Sequence, residues 1–229
     1  MKKLILTLAI GTLASGLFAQ TTFFATKVGA ELTYMNKKSA KGKATGYSKM
    51  TIKDVQGSGG NMTISYENES LDKKGKPFDP RQVVPLTVII QDNTITLDMK
   101  GMFVDAMKDQ AVPVNVTGTS MEIPNDLRPG QALNDAEMTM MMDLGIMKMI
   151  TVVKMTEGKC EAVENVTVAA GTFSCHKVSQ TVTTTVMKKT TVMKVITWYA
   201  PNIGTVKTET WDSKNKLKDI MELAELKGN

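Results

Sequence analysis

Residues 173–187, FSCHKVSQTVTTTVM, decide the fold class of this 229-residue chain. Val178, Gln180, Val182, Thr184 and Val186 fall on one face of an extended strand. Ser179, Thr181, Thr183 and Thr185 fall on the other. Strict alternation of this kind, rich in β-branched residues, is the pattern of an antiparallel strand with one face drier than the other.

Working outward, the same pattern continues on both sides. Upstream, the Ala169–Thr172 turn is preceded by Cys160–Val168. Before that come Glu137–Met142 and Ile146–Met155 around Asp143–Gly145. Downstream, Lys188 and Lys189 turn the chain into Thr191–Tyr199, and Gly204–Trp211 and Leu217–Leu226 follow. In the first half the expected strands are Phe24–Tyr34, Tyr47–Val55, Met62–Asn68, Val83–Ile90 and Thr94–Leu97. Gly57, Gly59 and Gly60 supply a loop, and Leu71–Arg81 reads as a polar connection. One short helix is expected over Asp98–Asp109, where Met99, Met102, Phe103, Ala106 and Met107 recur at helical spacing. The expectation is one all-β domain over residues 20–229, a single curled antiparallel sheet of roughly ten to twelve strands with one short helix. Twist forbids so wide a flat sheet.

The chain opens with the parts of an export signal. Lys2 and Lys3 precede the apolar run Leu4–Leu17, and small residues lead to Ala19, after which cleavage is expected, with cleavage after Gly16 the competing choice. That run is shorter than the roughly 20 residues of a membrane span, so the expected product is periplasmic and not membrane-spanning. No cysteine lies near the junction for lipid attachment. Removing Lys2 and Lys3 lowers the net charge of +5 by two, and aromatics make up only 5%. Nucleic-acid binding wants a concentrated basic face with stacking rings, and neither is here.

The catalytic inventory is thin. His176 is the sole histidine, and its strand neighbour Cys175 points to the opposite face, so the two cannot act as nucleophile and base by adjacency. One histidine and two separated cysteines match no metal pattern, and neither a cofactor motif nor a metal site is expected. Cys160 and Cys175 allow either a disulfide or a pair of buried thiols.

Methionine is over-used, with 18 in the chain. Seven lie between positions 138 and 155, with Met147, Met149 and Met155 sharing a strand parity with Val153. Thioethers can fill a core, line a pliable apolar site or bind monovalent copper. Packing is the plainest of the three. The candidate ligand-lining residues are Met138, Met140, Met142, Met147, Met149 and Trp198.

Two stretches carry a resemblance. Val166–Cys175 reads VTVAAGTFSC, and Trp198–Lys207 reads WYAPNIGTVK. Together they resemble the TapB-like proteins and the related bacterial family named domain of unknown function 3108. Phe23, Phe24, Gly29 and Tyr34 resemble that family's opening, Leu127–Leu133 its central segment, and Glu222–Leu223 with Glu225–Leu226 its ending. The resemblance implies a curled, incompletely closed β-roll in the periplasm. It implies no catalytic residues. The expected role is therefore a non-enzymatic envelope protein that holds an apolar small molecule or lipid. The alternatives are a structural or partner-binding module of the envelope, associated with surface appendages, and an envelope hydrolase.

Overall fold

The computed structural model describes residues 21–98 and 113–229. The expected export signal and the expected helix over Asp98–Asp109 lie outside the described residues, save at the edge residue Asp98. Among the described residues there is no helix, and none therefore long and apolar enough to cross a membrane.

Five strands make up the first half: β1 (Glu31–Lys37), β2 (Ala44–Ser58), β3 (Asn61–Leu71), β4 (Pro77–Gln91) and β5 (Thr94–Leu97). The middle of the chain adds β6 (Val114–Gly118), β7 (Glu122–Pro124) and β8 (Ala136–Asp143). The last five are β9 (Lys148–Val168), β10 (Gly171–Val186), β11 (Lys189–Ala200), β12 (Gly204–Asp212) and β13 (Leu217–Lys227).

All thirteen belong to one sheet, in the order β6-β8-β9-β10-β11-β12-β13-β1-β2-β3-β4-β5-β7, with every pair antiparallel. The first and last strands therefore meet in the middle, and the two edges, β6 and β7, come from the centre of the chain. Residues 119–121 join those edges without a ladder between them. The sheet is rolled: Cys160 and Val178, near one edge, share a core with Ile64, Val88 and Ile123, near the other. Fully buried Leu32, Ile52, Ile90 and Leu223 fill that interior. A curled, open, all-β sheet is what the alternation of residues 173–187 requires once its drier face must be covered.

Four expectations are revised. The chain from Thr22 to Ala30 is not a strand; it enters the roll, with Thr22, Phe23 and Ala25 buried. Asn125 holds it there, its Oδ1 accepting from Thr22 Oγ1 (3.0 Å) and from the Phe23 amide (3.1 Å). The two strands expected over 146–168 are one, because a left-handed residue, Glu157 (φ 57°), is absorbed as a bulge in the long ladder with β10. The polar connection over 71–81 shrinks to residues 72–76, and β4 runs through Pro80 and Arg81. The short strands β6 and β7 were not expected. Gly118 ends β6 at φ 113°, where a Cβ would stand 2.1 Å from the Glu137 carbonyl oxygen, so only glycine fits.

Candidate functional site

The methionines of β8 and β9 pair across the ladder. Met142 faces Met149, Met138 faces Val153, and Ala136 faces Met155. Since alternate residues share a face, Met138, Met140, Met142, Met149 and Met155 all look the same way. That way is inward: Met138 and Met155 meet Leu97 and Met121, which pack on the main core. Between them lies a cleft of about 80 Å³, walled by aliphatic side chains and thioethers with Thr119 and Ser120 at its side. Met121, on the link between the two sheet edges, is steadied by the Gln180 amide, which donates to its sulfur at 3.6 Å. Met142 is buried, whereas Met138, Met140, Met149 and Met155 remain half-exposed.

Of the six expected lining residues only Met138 borders the cleft; Met140, Met142 and Met149 share its face further along the ladder, and two stand elsewhere. Met147 sits in the β8–β9 turn, 41% exposed and away from the inner face. Trp198 belongs to a second apolar cluster, with Cys175, Ala200 and Val206, on the opposite face from its neighbour Tyr199. There its indole N–H donates to Glu164 Oε1 at 2.6 Å. Lys177 and Lys207 approach the ring at 5.4 and 5.0 Å from its centroid, within cation–π range. Lys207 also pairs with Glu209 at 2.8 Å. This is a half-buried charge ladder bracing an outer face, and it explains why a large aromatic stands there without lining a cavity.

A second hollow, of about 210 Å³, opens on the inner face among Phe24, Tyr34, Met50, Tyr66, Leu86 and Met221. Tyr34 donates its hydroxyl to the Thr205 carbonyl at 3.0 Å, and Phe24 stacks obliquely on Tyr66 at 5.4 Å. Burial pushes the Tyr66 phenol up to about 12 and Tyr34 higher still, so both rings are neutral at any physiological pH. Sequence reasoning missed this hollow. Its walls come from the entering N-terminal segment and from six strands, and no local spacing connects them.

Cys160 and Cys175 are both free and fully buried. Cys160 faces the main core and Cys175 the second cluster, on opposite sides of the sheet. In the ladder Cys160 stands opposite Val178, three residues beyond Cys175, or roughly 10 Å along a strand at 3.3 Å per residue. That exceeds the reach of a disulfide, so the bridge left open by the sequence is not made. Burial holds both thiols protonated, Cys175 with a pKa of about 11. His176 lies edge-on to Phe23, ring centroids 4.8 Å apart, and its buried Nδ1 finds no partner. Burial depresses its pKa. No group of three or more His, Cys, Asp or Glu side chains able to hold a metal occurs among the described residues.

Among curated proteins none matches the chain in sequence. Two solved structures share the fold. A protein from Bacteroides fragilis, described as exported and of YmcC-like fold, has a TM-score of 0.69 at 21% identity. The alignment covers 91% of this chain and 100% of that one. A protein described as a lipoprotein from Parabacteroides distasonis has a TM-score of 0.72, again at 21% identity, covering 91% of this chain and 99% of that one. The sequence itself matches the DUF3108-like family over residues 27–223, nearly the whole described fold from the buried N-terminal segment to β13. The chain belongs to the DUF3108-like family.

Proposed function

We propose that this is an exported, non-enzymatic protein of the bacterial envelope that holds the end of an apolar chain, acyl or isoprenoid, in the methionine cleft. The observation that carries the reading is the half-exposed inward pair Met138 and Met155, with Met121, around a cleft with aliphatic walls. Unbranched thioethers adapt to irregular apolar shapes at little cost. The cleft has about a quarter of the roughly 300 Å³ at which ordinary ligand sites begin, so it suits a chain terminus and not a whole lipid.

Export is supported by the n-region and apolar run of residues 2–17 and by the names given to the two structural neighbours. The non-catalytic reading is supported by the state of the reactive side chains. The one histidine packs on a phenylalanine, and the two thiols are protonated and shut in apolar surroundings.

The test is native mass spectrometry of the chain from Gln20 to Asn229, with extraction of anything retained. A species heavier than the polypeptide, carrying a fatty or isoprenoid compound, is expected. Met138→Glu should lose it while Met138→Leu keeps it, both with wild-type circular dichroism. Equal retention of apolar compounds by wild type and Met138→Glu would refute the cleft as the site.

A further inference from the structure

The turns β8–β9 and β10–β11 lie side by side at the end of the lobe formed by β6 and β8–β11, where the ladders terminate at Asp143↔Lys148 and Val186↔Lys189. Both turns carry apolar side chains outward. Ile146 is 96% exposed, the most solvent-facing large apolar residue described, and Leu144, Met147 and Met187 beside it are each more than 40% exposed. These are not loose loops. Gly145 N–H donates to Asp143 Oδ1 (2.9 Å), and Leu144 N–H to the Met147 carbonyl (2.9 Å). The Met187 amide donates to the Ile150 carbonyl of β9 at 2.9 Å, holding the β10–β11 turn against the strand that leaves the other turn. The backbone thus fixes an apolar tip in water, where a solitary exposed side chain would be unremarkable but a clustered group is not.

Beside the tip cations outnumber anions, three lysines to the one carboxylate of Asp143. Lys148, Lys188 and Lys189 are exposed at the bases of the two turns, and among the described residues none of them pairs with a carboxylate. Asp143, the nearest acid in sequence, has an oxygen engaged by the Gly145 amide. An apolar tip ringed by unpaired lysines is complementary to an anionic bilayer surface. Acyl chains receive the apolar side chains while phosphate groups meet the ammonium groups.

We propose that the paired β8–β9 and β10–β11 turns dock this protein onto anionic lipid surfaces, with Ile146 inserting between headgroups and Lys148, Lys188 and Lys189 supplying the preference for negative charge. The β10–β11 turn lies about 36 Å along β10 from the buried His176, by strand rise. The docking is independent of the methionine cleft.

The test is co-sedimentation of the chain from Gln20 onward with vesicles of phosphatidylethanolamine and phosphatidylglycerol, against vesicles of phosphatidylcholine alone. Binding to the anionic vesicles should exceed binding to the neutral ones at least tenfold and fall as salt rises. Ile146→Asp should reduce it by tenfold or more, without changing retention of apolar compounds or the melting temperature, since the residue touches no core. Lys188→Glu with Lys189→Glu should erase the preference for anionic lipid. No pelleting of wild type, or pelleting equal to that of Ile146→Asp, overturns the proposal. So does a wild-type dimer in solution that Ile146→Asp converts to monomer, since the tip would then be a contact between copies.

Discussion

His176 is the residue whose surroundings most clearly set a measurable property. Its ring sits against Phe23 with Nδ1 shut away from water, and burial holds its folded pKa below the usual value near 6.5. Above pH 6.5 the imidazole is neutral folded or unfolded and costs nothing. As pH falls, the unfolded chain takes up the proton first, so stability is lost progressively toward and through the folded pKa. The carboxylates of Glu69 and Glu161, held low chiefly by hydrogen bonds from Arg81 and Ser179, add their own loss only near pH 4 and below. The melting temperature should therefore decline between pH 7 and pH 5 in wild type and decline less in His176→Leu. Scanning calorimetry of the two proteins at both pH values checks it, and parallel declines would show that His176 is not the responsible group.

At the scale of elements, the entering N-terminal segment contributes more than its lack of regular structure suggests. Phe23 is 4% exposed, packs on His176 and stands 6.4 Å from the Tyr199 ring. Its truncation in Phe23→Ala should cost about 3–5 kcal/mol, the range for removing a buried aromatic side chain. Urea unfolding gives the number, and a change below about 1 kcal/mol would mean the segment leaves the roll in solution. This segment also marks where the sequence stopped being readable. Strands such as β10 announce themselves because their alternation is local. Residues 22–30 carry no such alternation; what draws them inward is Asn125, a hundred positions away, and no local pattern encodes that partner. The cysteines make the same point. Continuing the β9–β10 register outward from the hairpin would put Cys160 opposite Ser179, on the face of Cys175. The bulge that skips Glu161 moves Cys160 opposite Val178 and turns it to the other side. One inserted residue, invisible in composition or spacing, decides which face of the sheet Cys160 occupies; in either register it stands too far along the ladder to reach Cys175. It was also legible that β8 and β9 carry methionine on a shared face; that Met147 belongs to the turn and Trp198 to the outer face required the observed register.

For the whole molecule, the determining feature is that β1 lies beside β13. Each half of the chain builds its own meander of hairpins, and the two meanders meet along this single seam, from Glu31↔Lys227 to Lys37↔Ile220. The edges are left to β6 and β7, short strands that offer little ladder to a passing chain. The same seam sets how the fold answers to a mechanical load. The antiparallel pair places the start of β1 and the end of β13 at the same end of the ladder. A pull on the two termini therefore does not shear seven residues of backbone hydrogen bonds at once; it opens them in succession, like a zip. After the N-terminal segment is drawn from the interior, the seam should part at low force in a single-molecule pulling experiment. A pull applied between Lys37 and Lys227, which loads the ladder lengthwise, should meet a distinctly higher peak. Equal forces in the two geometries would mean that something other than the β1–β13 ladder bears the load. Such a seam makes the direction of pulling matter as much as the depth of the energy well.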